Sequence, residues 1–250
     1  MPTFLDHALI LIITVGLPSY ALFLWHMRLM RSHGSQRGAV RLQTYRLGVI
    51  VPWSLTILVA LVWFQRGRLA PDIGLGFEPH LRFWTSAAIV AMIMAYASWQ
   101  RLTIHDDAEA KKEVMEQLGS VEALLPRTPF ELQWFFGVSI TAGICEEFLY
   151  RGFLMWYLEQ LTGPVAAVVI SSLLFGIGHA YQGSRGMIQT GLVGLALALL
   201  YVFSGSLWLP ILLHAFIDIN SGLLAYDVLR QGNPSRLGTV APKPPADPWE

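Results

Sequence analysis

Residues 131–157 are ELQWFFGVSITAGICEEFLYRGFLMWY, and this stretch sets the class of structure. It is long enough to cross a membrane, because about 20 helical residues at 1.5 Å each cover roughly 30 Å of hydrocarbon. It nevertheless holds Glu146, Glu147 and Arg151. An ionisable side chain in hydrocarbon costs at least about 2.5 to 3.5 kcal/mol, so charges inside a spanning helix indicate a function.

Six further stretches have a similar length and apolar character. The predicted spans lie near 8–27, 47–65, 83–100, 131–157, 164–181, 187–204 and 207–226. Only helices satisfy their own backbone hydrogen bonds in lipid, so the sequence predicts an all-α fold, a polytopic transmembrane helical bundle. We expect three amino-terminal spans in 1–104, a polar connection in 105–129, a core of four spans in 130–226 and a tail in 227–250.

The composition excludes an ordinary soluble domain. The chain is 54% hydrophobic and 14% charged, against roughly 25% charged residues in soluble proteins. Its formal net charge is +0, which gives no support for nucleic-acid binding, so membrane lipid is the expected partner. The single cysteine, Cys145, excludes an internal disulfide and a cysteine-based zinc site.

The basic residues divide unequally between the predicted loops. Alternate sides of the predicted bundle hold thirteen and three Lys and Arg residues, with Arg151 inside a span. Because cytoplasmic loops carry the excess, we expect a multi-pass protein of the cell membrane with its amino terminus outside and its tail in the cytoplasm.

Two polar segments flank the predicted core. The segment 105–127 has acidic residues early and loosely spaced apolar residues, which predicts a cytoplasmic surface helix. The segment 227–250 is rich in proline and has no apolar periodicity, which predicts disorder.

Helical spacing assigns partners to the charges in residues 131–157. Glu147 and Arg151 are four residues apart with the acid first, the favoured order for an ion pair within a helix, so we expect this pair to be structural. Glu146 lies about 100° around the helix from Glu147 and has no opposite charge at three or four residues beyond it. Its partner must therefore come from another helix.

Two later spans carry histidines at the same four-residue interval. Phe175 precedes His179, whose imidazole orientation the aromatic ring would restrict, and His214 precedes Asp218. A carboxylate at that interval can hold a histidine tautomer, or both side chains can face one target.

Glu146, His179, His214 and Asp218 are the side-chain types of a hydrolase. A glutamate and a histidine that share a water can deprotonate it for attack on a carbonyl, while the second histidine and its partner stabilise the oxyanion. The same four side chains could instead bind a divalent metal such as zinc, with a water in an open position. The residue types leave both designs open.

The three motifs together resemble those of a known family. They are E-E-x-x-x-R at 146–151, F-x-x-x-H at 175–179 and H-x-x-x-D at 214–218. In this order they resemble the CAAX prenyl protease and bacteriocin-processing family, also called CPBP or Abi, of intramembrane endopeptidases. The resemblance covers roughly residues 126–226 and rests on three ordered motifs, each weak alone.

The resemblance implies a role for each matching residue. Glu146 would activate water with His179 as its partner, and His214 with Asp218 would stabilise the oxyanion or bind metal. Glu147, Arg151 and Phe175 would support the site. The substrate would be a membrane-associated or prenylated peptide.

Asp218 departs from the family pattern. Eukaryotic prenyl proteases have asparagine at the corresponding place, and an ionised aspartate would repel an oxyanion. The resemblance therefore implies that Asp218 is protonated, binds metal or orients His214.

Two other classes of protein compete with an enzyme. One is a catalytically silent membrane scaffold or a bacteriocin self-immunity protein that keeps the motifs for folding. The other is a proton-coupled transporter, because buried acids and histidines also serve as relays. The chain shows no internal repeat, which counts against the transporter.

Overall fold

The computed structural model describes residues 2–32, 34, 36–77, 79–104, 109 and 119–231. This part of the chain contains seven long helical segments and no strand. The segments are α1 (Phe4–Leu29), α2 (Gln36–Gln65), α3 (Leu81–Ile104), α4 (129–162), α5 (Pro164–Gly178), α6 (Gly183–Ser204) and α7 (Trp208–Gln231). They correspond one to one with the predicted spans, so the prediction of an all-α polytopic bundle is confirmed.

Five of these helices are long and apolar enough to cross a membrane: α1, α2, α3, α6 and α7. Helix α4 carries the buried charges, and α5 has only 15 residues. At 1.5 Å per residue, α5 extends about 22 Å and falls short of roughly 30 Å of hydrocarbon. The residue that follows it, His179, lies opposite Glu146 in the middle part of α4 and is therefore within the bundle.

Contacts between helix ends show that successive helices run in opposite directions. At one end, the start of α1 meets the residues after α2 through an Asp6–Arg68 ion pair. At the other end, the start of α2 meets the start of α4 through Arg41 and Glu131, whose nearest atoms are 3.1 Å apart. Arg101 of α3 likewise reaches Asp227 of α7.

The basic residues are divided unequally between the two ends of the helical bundle. The end that holds Arg68 also holds Arg66 and Arg82, and most of the remaining described arginines belong to the opposite end. The unequal division predicted from the loops is therefore present in the fold. The side of the membrane that each end faces stays a prediction.

Helix α1 is fixed to the rest of the bundle by a buried carboxylate. Asp6 is fully buried and accepts two hydrogen bonds from the Arg68 guanidinium, at 2.8 and 2.7 Å. The same guanidinium lies over the rings of Trp63, at 5.0 Å, and Trp156, at 4.1 Å. A guanidinium that donates two hydrogen bonds to one carboxylate has a defined geometry. The start of α1 therefore has a fixed position against α2 and α4.

Helices α4 and α7 approach closely because residue 143 is glycine. A Cβ built on Gly143 would lie 2.7 Å from the Ala215 Cβ and 2.9 Å from both the Ala215 nitrogen and the Ile211 carbonyl oxygen. Ala215 follows His214, and Gly143 precedes Glu146 by three residues. This contact therefore brings the charged stretch of α4 against that of α7.

The flanking segments differ from prediction where the structure describes them. Helix α7 continues to Gln231 instead of ending near residue 226. Within the predicted surface helix, the described residues include a 3₁₀ turn at Gly119–Leu124, where carbonyl groups accept hydrogen bonds from Arg41 and Tyr45 of α2. Most of that surface helix, 105–108 and 110–118, and the predicted disordered tail from 232 onward lie outside the described residues.

The close approach of α4 and α7 can be tested with two glycines of the same helix. Gly143→Ala should lower the thermal melting temperature of the detergent-solubilised protein, because overpacking typically costs about 1 to 3 kcal/mol. Gly137→Ala is the matched control, since a Cβ there meets nothing within 4 Å. It should melt at or slightly above the wild-type temperature, because alanine favours a helix by up to about 1 kcal/mol over glycine. Equal melting temperatures for the two variants would contradict the packing described here.

Candidate active site

Helix α4 changes its hydrogen-bonding pattern at the charged motif. A regular α-helix runs from Pro129 to Glu147, and a π-helical turn follows at Phe148–Leu154. Such turns insert an extra residue per turn and are frequent at functional sites. The turn contains Arg151, which is fully buried, as is Glu147.

The predicted ion pair between Glu147 and Arg151 is confirmed. Arg151 Nη1 lies 2.7 Å from Glu147 Oε1. Arg151 Nη2 donates to the carbonyl oxygen of Gly194 in α6 at 2.9 Å, and the guanidinium carbon lies 4.2 Å from the centre of the Phe175 ring. A buried charge is tolerated when it is paired and hydrogen-bonded, and Arg151 is held in this way through Nη1 and Nη2, while its Nε has no hydrogen-bond partner.

Gly194 allows α6 to approach α4 and α5 closely. A Cβ on Gly194 would lie 3.2 Å from Arg151 Nη2 and 2.9 Å from Phe175 Cδ1. A larger residue at this position would displace the guanidinium from the α6 backbone.

Glu147 has a second partner that its spacing did not predict. His214 Nδ1 lies 2.7 Å from Glu147 Oε1. The distance from His214 Nε2 to Asp218 Oδ2 is 3.8 Å, beyond hydrogen-bond range. The carboxylate that orients His214 is therefore Glu147, not Asp218, because a four-residue interval places two side chains on one face but does not ensure a hydrogen bond between them.

The hydrogen bond to Glu147 defines the protonation of His214 Nδ1. An ionised carboxylate only accepts hydrogen bonds, so Nδ1 carries the hydrogen and Nε2 is the atom presented to Asp218. The Phe175 ring contacts the imidazole edge to face, with ring centres 5.9 Å apart.

His179 is oriented by the backbone of its own helix. Its Nδ1 lies 2.8 Å from the carbonyl oxygen of Phe175, and the two ring centres are 4.8 Å apart, which confirms that Phe175 lies against this imidazole. A carbonyl oxygen only accepts, so Nδ1 carries the hydrogen here as well. His179 Nε2 faces Glu146, at 3.9 Å from Oε2.

All four predicted catalytic side chains line one cavity of about 500 Å³. Glu146 comes from α4, His179 follows α5, and His214 and Asp218 come from α7. The cavity continues past apolar side chains of α1 and α2, such as Leu24 and Val51, to the 3₁₀ turn before α4. The structure therefore brings together every residue that the sequence placed in the site.

The four side chains form two separate pairs rather than one cluster. The Glu146–His179 and His214–Asp218 distances are 3.9 and 3.8 Å. Among the described residues, no group of three His, Cys, Asp or Glu side chains has a geometry that could hold a metal ion. As they stand, the four side chains do not form a site for a divalent metal, which was one of the two designs that the sequence left open.

Sequence reasoning missed contacts that cross between helices. Two of these contacts join residues far apart in the chain: Arg151 donates to the Gly194 carbonyl, and His214 bonds to Glu147. The third is the contact of the Tyr181 ring with His179, which depends on the turn that contains Tyr181. Only the position of Tyr181 two residues after His179 could have drawn attention to it.

Comparison with known proteins gives one family match, to the region that contains the site. Residues 128–220 match the family model of the type II CAAX prenyl endopeptidases, Rce1-like, and this range contains all three motifs. No curated protein and no solved structure gave a match. The core of this membrane protein, over residues 128–220, is therefore similar to the Rce1-like family of type II CAAX prenyl endopeptidases.

Proposed function

We propose that this protein is an intramembrane endopeptidase that hydrolyses a peptide bond in a membrane-associated or prenylated substrate. The observation that carries the proposal is the placement of Glu146 and His179 on a cavity inside the helical bundle, beside a second histidine held by a buried carboxylate. The family match supports the reaction class. The apolar continuation of the cavity suits a substrate that arrives from lipid.

The nucleophile in this proposal is a water held between Glu146 and His179. Their facing atoms are 3.9 Å apart, too far for a direct hydrogen bond but suited to a single bridging water. Glu146 takes a proton as the water oxygen attacks the substrate carbonyl carbon. His179 Nε2, unprotonated in the neutral ring, accepts a hydrogen bond from the same water and aims its lone pair at the carbonyl.

The second pair receives the negative charge of the tetrahedral intermediate. Because Nδ1 of His214 already donates to Glu147, only the doubly protonated ring can donate to an oxyanion from Nε2. Asp218 would lie beside that oxyanion, so it must hold a proton there and act as a second donor. Collapse of the intermediate breaks the carbon–nitrogen bond, and the proton on Glu146 passes to the departing amine.

The orientation of the bundle in the membrane is inferred from the unequal number of arginines at its two ends. We infer that the arginine-rich end of the bundle faces the cytoplasm, which puts the end of α7 on that side. The cavity extends toward this end, because it reaches the turn that precedes α4. Substrate would then enter from the cytoplasmic half of the membrane.

The assignment can be tested with purified protein and a membrane-associated peptide substrate. Glu146→Ala and His179→Ala should each lower kcat by at least about a hundredfold, the lower range for loss of general acid–base catalysis. His26→Ala is the matched control and should cleave like wild type, because His26 is exposed on α1 and does not line the cavity. Full cleavage by either site variant would contradict the assignment of Glu146 and His179 as the catalytic pair, whereas no cleavage by the wild-type protein would favour a silent scaffold.

The same assay separates a metal-free reaction from a metal-dependent one. The proposed mechanism predicts that cleavage survives dialysis against a chelator, because Glu146 and His179 activate the water without a metal. Elemental analysis of active protein is the companion measurement. A stoichiometric metal whose removal abolishes cleavage, and whose return restores it, would contradict the metal-free mechanism.

A further inference from the structure

A line of aromatic rings connects α1 to the proposed catalytic pair. The Tyr181 ring lies 5.8 Å from the His179 ring, centre to centre, with the planes inclined by 37°. On α1, the Trp25 ring lies 5.8 Å from the Tyr181 ring, inclined by 44°. Both Trp25 and Tyr181 line the cavity.

Tyr181 is held in this position by its neighbours. It belongs to the 3₁₀ turn Ala180–Gln182 that directly follows His179. Gln182 Nε2 donates to the Tyr181 hydroxyl at 3.3 Å, and Thr190 Oγ1 of α6 donates to Gln182 Oε1 at 3.2 Å. The tyrosine is therefore tied both to α6 and to α1.

His179 needs more than its backbone hydrogen bond to aim Nε2 at Glu146. The bond from Nδ1 to the Phe175 carbonyl fixes one atom of the ring, but the ring can still tilt about that contact. His179 keeps a partly exposed side chain, at 18%. Contact with the Phe175 and Tyr181 rings removes the remaining freedom.

Trp25 contacts the Tyr181 ring and lies outside the region that matches the family. It lies in a π-helical turn of α1, Leu24–Leu29, and is 8% exposed. The family match begins only at residue 128. The first helix thus contributes to the site through a side chain that the match does not include.

We propose that Tyr181 is a positioning residue for His179 and that Trp25 of α1 holds Tyr181 in place. This inference rests on the proposed function, because it assigns His179 a catalytic orientation. The packing of the aromatic ring, not the tyrosine hydroxyl, does the positioning.

Kinetics of three variants test this inference against wild-type protein that cleaves the peptide. Tyr181→Leu should lower kcat about tenfold, because small misplacements of a catalytic group cost one to two orders of magnitude, while KM changes by less than about twofold. Tyr181→Phe keeps the ring and should retain at least about half of the activity. The pH profile of kcat should shift in Tyr181→Leu, because the surroundings of His179 change. The control is Tyr96→Leu, which removes an exposed tyrosine of α3 that does not line the cavity, and it should match wild type in both measurements.

Trp25→Leu provides a second route that does not alter Tyr181 itself. It should lower kcat in the same direction as Tyr181→Leu, and the double variant should be no worse than Tyr181→Leu alone, because the two residues act through one contact chain. Three results would overturn the inference: unchanged kcat in both single variants, equal losses in Tyr181→Phe and Tyr181→Leu, or a rise in KM alone. A protein in which Glu146→Ala abolishes cleavage while Tyr181→Leu does not would refute only the positioning role and leave the proposed function intact.

Discussion

One buried carboxylate, Glu147, organises the site. A single oxygen, Oε1, accepts hydrogen bonds from Arg151 within α4 and from His214 across to α7, both at 2.7 Å. Arg151 extends the network to the α6 backbone at Gly194. Removing one partner from a buried charged network typically costs about 3 to 5 kcal/mol, because the remaining charges stay buried and unpaired. The helices that carry the chemistry are thereby locked to one another at the point where the chemistry would occur.

The adjacent Glu146 is free for chemistry because Glu147 is the carboxylate that pairs with Arg151 and His214. Neighbouring residues on a helix point about 100° apart, so one carboxylate enters the charged network while the next faces the cavity. Short α5 ends inside the bundle and places His179 opposite Glu146. Each histidine has its Nδ1 occupied, by a carbonyl in His179 and a carboxylate in His214, so both present Nε2 to the cavity. This common orientation is what two side chains need in order to act on one peptide bond.

The sequence predicted those features that follow from local periodicity. Apolar length indicated the helices, and the four-residue interval identified the Glu147–Arg151 pair and the contact between Phe175 and His179. For His214 the same interval left open whether Asp218 orients the ring or faces a common target with it, and the orienting bond comes from Glu147. The bond to Glu147, the Gly194 carbonyl and the Tyr181 ring depend on how separate helices pack, and one sequence carries no periodic signal for such contacts. The zinc alternative likewise depended on distances between helices, and the two observed pairs do not form a metal-binding cluster among the described residues.

The central claim is that two adjacent glutamates have different roles, one chemical and one structural. Glutamine substitution at each position, with thermal melting and peptide cleavage measured on the same preparations, tests it most directly. Glu146→Gln should melt at the wild-type temperature and fail to cleave, because the amide cannot accept the proton. Glu147→Gln should melt at a clearly lower temperature, because the neutral amide leaves Arg151 without its counter-ion. Cleavage by Glu146→Gln, or a wild-type melting temperature for Glu147→Gln, would contradict this division of roles.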